Sequence, residues 1–353
     1  MELRANTPIA ASNVKEAGRS LQAVYFEHIR RKTTLLALLF SLLCLLSLYA
    51  LTRGAYDLPV GDFLAALTGG LEGASRVVVF NIRLPRICAA LICGWGLSLS
   101  GLGIQSLLKN PLGSPSTLGI SQGAAFGAAL SIVVLGGQVV SVTASAFAGA
   151  MVATLVILLL ARLKRLSPEA VILAGVALSS LFASATILIQ YLATETELAM
   201  VVFWTFGDVA RSSWIELLIL AGVVLPLSFG FVFLRWDLNA MSSGEDAARG
   251  LGVSVDRIRI LGMMAAALIA ALATAFHGVI AFVGLIAPHM ARRLVGDDHG
   301  LLIPFSAVLG ALLLLSADTI GRALIGSGAL PVGVITSFLG APMFLYLLMR
   351  NYR

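Results

Sequence analysis

Apolar residues in this chain do not alternate with polar ones. They come in long runs, broken by short polar or Gly/Pro-rich stretches. A helix needs about 20 mostly apolar residues to cross the hydrocarbon core of a bilayer. Such runs predict ten spans, at 34–52, 84–108, 117–136, 139–162, 169–193, 212–234, 258–277, 279–293, 301–321 and 330–350. The pattern therefore predicts an all-α polytopic membrane protein. The eighth span is short, and the junction at His277 and Gly278 before it is tight. Residues 1–33 are polar and mixed in charge, so the apolar run that follows reads as a retained first helix rather than a leader.

Charge sets the orientation. With residues 1–33 inside, the inner segments hold eighteen Lys and Arg, and the outer segments hold six: Arg53, Arg76, Arg83, Arg86, Arg211 and Arg322. That bias predicts both termini in the cytoplasm. The longest inner connection, about 237–258, contains GEDAARGLG (244–252). It reads as a short amphipathic helix lying over about 241–256, capped near Ser243 and ended at Gly250 or Gly252.

Composition narrows the function. Of the 353 residues 59% are hydrophobic and 12% charged, with a mean hydropathy of +0.96. Soluble domains carry about 25% charged residues, so a soluble enzyme, a disordered chain and a nucleic-acid binder are excluded. The net charge of +6 is accounted for by orientation. Cys44, Cys88 and Cys93 sit in apolar runs and read as small buried hydrophobes, with no metal site and no cofactor expected.

No phosphate-binding loop is present. The glycines at 94–103 continue without Lys or hydroxyl at the required positions, and they suit close helix packing instead. His277, His289 and His299 lack metalloprotease spacing. Energy for any transport must come from a partner or an ion gradient. The apolar runs contain very few acidic residues: Asp318 near the outer end of the ninth span and Glu216 near the outer start of the sixth. Asp318 and Arg322, four apart, share a helix face and are expected to pair. The midplanes of spans two to five lack carboxylates, which weighs against an ion-coupled carrier. The stretch NPLGSPSTLGIS (110–121) breaks the helical pattern yet is barely charged, so it is expected to dip into the protein.

Several stretches together resemble the FecCD-type permeases, the membrane subunits of type II ABC importers for iron-siderophore, haem and cobalamin. They are RLPR (83–86), QSLLKNPLGSPSTLGIS (105–121), LAGV (173–176), GLIAPHMARRLVG (284–296), SADTIGR (316–322) and LPVGVITSFLGAPMFLYLL (330–348). The resemblance runs over about 35–350 and makes 34–353 the permease domain, with 1–33 a cytoplasmic segment before it. It implies a multi-pass protein of the inner (cytoplasmic) membrane, in contact with lipid and not with nucleic acid. Two copies, or one copy and a sister permease, would enclose a pathway lined by spans five and ten. Two ABC ATPase subunits would bind below, and a periplasmic or lipid-anchored substrate-binding protein would dock above. ATP hydrolysis would then reside in the partner.

Residue by residue, Arg83, Arg86 and Arg322 match arginines that receive carboxylates of the binding protein. Glu245, Ala247, Ala248, Arg249 and Gly252 match the coupling helix that docks on the ATPase. Asn110, Pro111 and Leu112 match one cytoplasmic gate, and Ser167 and Pro168 fall in a second, where Pro168 and Glu169 depart from the usual small hydroxyl residues. The resemblance favours a metal chelate as cargo, iron-siderophore before haem or cobalamin, with an oxyanion such as molybdate next. A gradient-driven carrier acting alone is the competing reading.

Overall fold

A computed structural model describes residues 9–52, 74–163, 166–325 and 330–350. Arg4, Arg53, Lys164, Arg165 and Arg353, counted above for orientation, lie outside them. Each predicted span corresponds to a helix, in chain order. These are α1 (Ile9–Thr52), α2 (Leu84–Leu108), α3 (Ile120–Val134), α4 (Val139–Arg162), α5 (Pro168–Leu192), α7 (Trp214–Phe233), α10 (Val255–His277), α11 (Val283–Val295), α12 (His299–Ile325) and α13 (Val332–Arg350). Seven of the described helices are long and apolar enough to cross a membrane. The exceptions are α3, α11 and α13.

Among the described residues, three α-helices longer than four residues fall outside the ten predicted spans. The segment after α5 holds a further helix, α6 (Glu195–Thr205), started by a capping box in which Thr194 and Glu197 satisfy each other's backbone amides. Ser213 and Glu216 start α7 in the same way, which explains an acidic residue at the mouth of an apolar run. The inner connection forms two short helices, α8 (Arg235–Ser242) and α9 (Glu245–Gly250), rather than one. Gly244, at φ +129°, makes the break between them, and Ser243 lends no side-chain cap.

The tight junction at His277 also resolves differently. Gly278 and Phe282 both have positive φ, and α11 begins only at Val283. At 1.5 Å per residue its 13 residues reach about 20 Å, short of a bilayer core. It starts level with the middle of α2, where a Cβ on Gly101 would overlap the Gly284 carbonyl.

The core gathers round α2, which packs against α7, α10, α11 and α12. Of the apolar stretch of Val78–Leu108, 78% is buried, against 11% for Pro168–Leu192. Small residues account for the difference: Gly94 meets Gly310 of α12 and Gly101 meets Gly284, so that backbones touch where side chains would otherwise hold the helices apart. On α5, Leu173, Leu181, Ile187, Leu188 and Tyr191 are exposed. Cys93 is buried and Cys88 half-buried, but Cys44 lies on the exposed face of α1, contrary to the expectation of three buried thiols.

Candidate functional site

Charged side chains collect at the two ends of the bundle. At the end carrying the amino terminus of α2, Asp318 is fully buried and forms ion pairs with both neighbouring arginines. Arg86 donates from Nε to Oδ1 at 2.8 Å, its Nη2 lies 2.8 Å from the same oxygen, and Arg322 approaches Oδ2 through Nε at 3.1 Å. The expected pairing of Asp318 with Arg322 is thus present. The guanidiniums also close the end of α1, whose last carbonyls have no partner within the helix. Arg322 Nη1 donates to Ala50 O at 3.0 Å and Arg83 Nη1 to Leu51 O at 2.6 Å. Positive charge at a helix carboxyl end is favourable.

The three arginines matched to docking residues are largely buried side chains here. Arg83 is 5% exposed, and the side chains of Arg86 and Arg322 are 12% and 11% exposed. They tie α1, α2 and α12 together.

At the opposite end α9 stands against the start of α10. Glu245, partly exposed, pairs with the buried Arg259, and Ala248 is completely buried. Asp246, Ala247, Arg249, Leu251 and Gly252 are exposed, Leu251 to 74%. Arg249 bridges to Asp256 at 3.0 Å with both side chains half-exposed, a contact worth no more than about 1 kcal/mol. Gly252, at φ +87°, closes the turn.

A hydrogen-bonded chain ties α8 to the bundle beside it. His299 donates its backbone amide to Asn239 Oδ1 at 2.9 Å, and the same oxygen lies 2.7 Å from His299 Nδ1. His299 Nε2 is 2.8 Å from Ser106 Oγ, which a neutral ring satisfies by donating from Nδ1 and accepting at Nε2. Asn239 Nδ2 donates to Asp298 at 2.8 Å, and this bond holds the Asp298 carboxyl below its ordinary pKa.

A profile of the FecCD transport family matches residues 40–350. The chain belongs to that family. An ABC transporter permease protein of Methanocaldococcus jannaschii is 47% identical over 341 residues, 93% of this chain and 98% of its own. The vitamin B12 import system permease BtuC of Vibrio cholerae is 36% identical, over 84% of this chain and 89% of that one. A solved structure of a metal-chelate type ABC transporter, inward-facing, superposes with a TM-score of 0.82 at 33% identity. It covers 90% of this chain and 99% of the other. This FecCD protein is a permease subunit of an ABC importer, a multi-pass protein of the cytoplasmic membrane.

In this permease the 110–121 stretch does enter the protein. Lys109 ends α2 in a left-handed turn at φ +47°, and Asn110 Oδ1 accepts from Leu112 N at 2.9 Å to fold the chain back. Pro111 and Leu112 stay exposed while Gly113, Ser114 and Pro115 are buried. Arg292 lies beside them, donating to Gln105 Oε1 at 3.1 Å and pairing with Asp297 at 2.7 Å. A cavity of about 350 Å³ opens between these groups and His299.

The Ser167-Pro168-Glu169 departure has a local cause. Ser167 Oγ accepts from Ala170 N at 3.3 Å, Pro168 occupies the first helical turn and Glu169 follows it. All three favour a helix start.

The sequence reading missed the Asn239–His299 chain and Arg259. The second was within reach: Arg259 falls one residue inside the predicted seventh span, and a charge in such a place calls for a functional question.

Proposed function

We propose that this permease imports a metal chelate, with an iron-siderophore the first cargo to test and haem or cobalamin next. Two copies enclose the pathway, with α5 and α13 facing it. The exposed apolar length of α5 supports this, because it leaves the most bare helix surface in the body of the bundle. The end bearing α8 and α9 faces the cytoplasm, as the basic residues require.

Two ATPase subunits bind there, one against each α8–α9 pair, and hydrolyse the ATP. The observation that carries this reading is the exposed face of α9, where Ala247, Leu251 and Gly252 form a small apolar knob between Asp246 and Arg249. A substrate-binding protein docks on the opposite end, steered by the positive field of Arg83, Arg86 and Arg322 rather than by extended side chains. Asn110, Pro111 and Leu112, with Ser167 and Pro168, form the cytoplasmic gates.

Purification from native membranes in mild detergent with nucleotide present tests the assembly, using mass spectrometry for partners and small molecules. An ATPase and a binding protein should co-purify, and the chelate held by the latter identifies the cargo. A chain recovered alone, with uptake that survives ATP depletion and collapses with a protonophore, would favour the gradient-driven carrier.

A further inference from the structure

Arg259 is the largest fully buried side chain in the described residues, 1% exposed, and it lies in the first turns of α10. Each of its three nitrogens has a different partner. Nε donates to Leu107 O at 3.2 Å, in the last turn of α2. Nη1 donates to Leu166 O at 2.7 Å, in the turn before α5. Nη2 donates to Glu245, the first residue of α9.

These acceptors belong to three different segments. Leu107 lies three residues before Asn110. Leu166, at φ +56°, immediately precedes Ser167. Both carbonyls therefore border gate segments, and Glu245 belongs to the helix offered to the ATPase. We propose that Arg259 transmits movement of α9 to both cytoplasmic gates, by joining Glu245 to the carbonyls that end α2 and precede α5. This inference rests on the reading of α9 as the ATPase contact.

The geometry suits the task. A guanidinium is planar and rigid, so displacing Glu245 turns the whole fork, and the two carbonyl contacts move with it. The backbone on which they act is already bent, with left-handed residues at Lys109 and Leu166. Little regular helix needs to be broken for either segment to shift. A burial this complete also means that water cannot replace a lost contact, so the three bonds are exchanged together or not at all.

Arg259→Lys is the informative change. It keeps a cation for Glu245 but offers a point charge on a flexible stem in place of a three-way fork. Measured in proteoliposomes with ATPase and binding protein present, the variant should assemble and hydrolyse ATP, while chelate uptake per ATP falls about tenfold. That is the scale of losing one charge-assisted hydrogen bond. Glu245→Gln should lower the same ratio, and the double variant should be no worse than Arg259→Lys alone.

Uptake per ATP at the wild-type value would overturn the inference. So would a parallel loss of assembly, hydrolysis and uptake, which marks a purely structural residue. Should Arg259→Lys not fold, Glu245→Gln decides by the same ratio, since Glu245 is partly exposed. A pair of spin labels at Ser243, exposed just before α9, and Leu112, with native cysteines replaced, gives a second readout. Their distance should change with nucleotide in the parent and lose that response in Glu245→Gln. Ala247→Trp separates the two levels of the argument: if it too leaves ATP use and uptake coupled, the assignment of α9 has failed and not only that of Arg259.

Discussion

Asp318→Asn tests whether the outer charge cluster holds the bundle together. The carboxylate is fully buried and faces guanidiniums that are themselves only 12% and 11% exposed. One hydrogen bond from Arg86 and ion-pair contacts with both guanidiniums end on it. Asparagine keeps one carbonyl oxygen, which still serves Arg86, but sets an NH2 donor against the Nε donor of Arg322. Two cations then remain in a site that solvent reaches poorly. Breaking a buried pair by removing one partner costs about 3–5 kcal/mol, and among the described residues Asp318 is the carboxylate that both guanidiniums share. Denaturant unfolding in mixed micelles, followed by the four tryptophans, should therefore give a loss of that size. The cause is checked by a cycle with Arg86→Met: if charge orphaning is responsible, the double variant should recover about 1–3 kcal/mol relative to the sum of the two losses. A loss below about 1 kcal/mol for Asp318→Asn, or strict additivity in the cycle, would refute the reasoning and leave the cluster a surface contact.

Other expectations follow from local geometry. Gly101→Val should prevent accumulation of folded permease, because its side chain overlaps the Gly284 backbone; normal yield and melting behaviour would contradict the packing. Ser167→Ala should cost about 1 kcal/mol through loss of the cap on α5, visible in unfolding and absent from ATPase association. Leu251→Ser should weaken co-purification of the ATPase without changing stability, since Leu251 is 74% exposed; unchanged recovery of the ATPase would remove it from the contact. The lowered pKa of Asp298 means that its bond to Asn239 adds stability above the ordinary carboxylate pKa and loses it as pH falls through the lowered value. The stability difference between the parent and Asp298→Asn should accordingly shrink on acidification, and a difference independent of pH would exclude the linkage.

The legible part of this protein was the part written in long apolar runs. Spans of 20 residues or more announce themselves because each must bury its own backbone polar groups in a medium without water. Shorter elements carry no such signal. α6 and the break between α8 and α9 depend on caps and on one positive φ at Gly244, and a hydropathy scan reads through both. The start of α11 was misplaced by four residues because the extended stretch 279–282 is as apolar as the helices beside it. At the sites, Asp318 with Arg322 could be read from their spacing on one helix. Arg86 could not be joined to them, since 232 residues separate it from Asp318. Nor could the buried side of α9 be read, because a six-residue helix has too few positions for it to emerge from periodicity.

The two charge clusters are built differently, and the difference bears on what each end can do. At the outer end one buried carboxylate is held from two helices, and a donor each from Arg83 and Arg322 goes to the closing carbonyls of a third. Any displacement of α1, α2 or α12 there separates opposite charges in a poorly solvated site, so the energy rises steeply and these helices are expected to move as one body. At the inner end a single cation serves one partly exposed carboxylate and two backbone carbonyls. Neutral acceptors hold a guanidinium less strongly than a carboxylate does, and Glu245, partly exposed, can be shifted from outside. A stiff outer end and a yielding inner end let a force applied at α9 act locally, on the turns before Asn110 and Ser167, before it tilts the bundle as a whole.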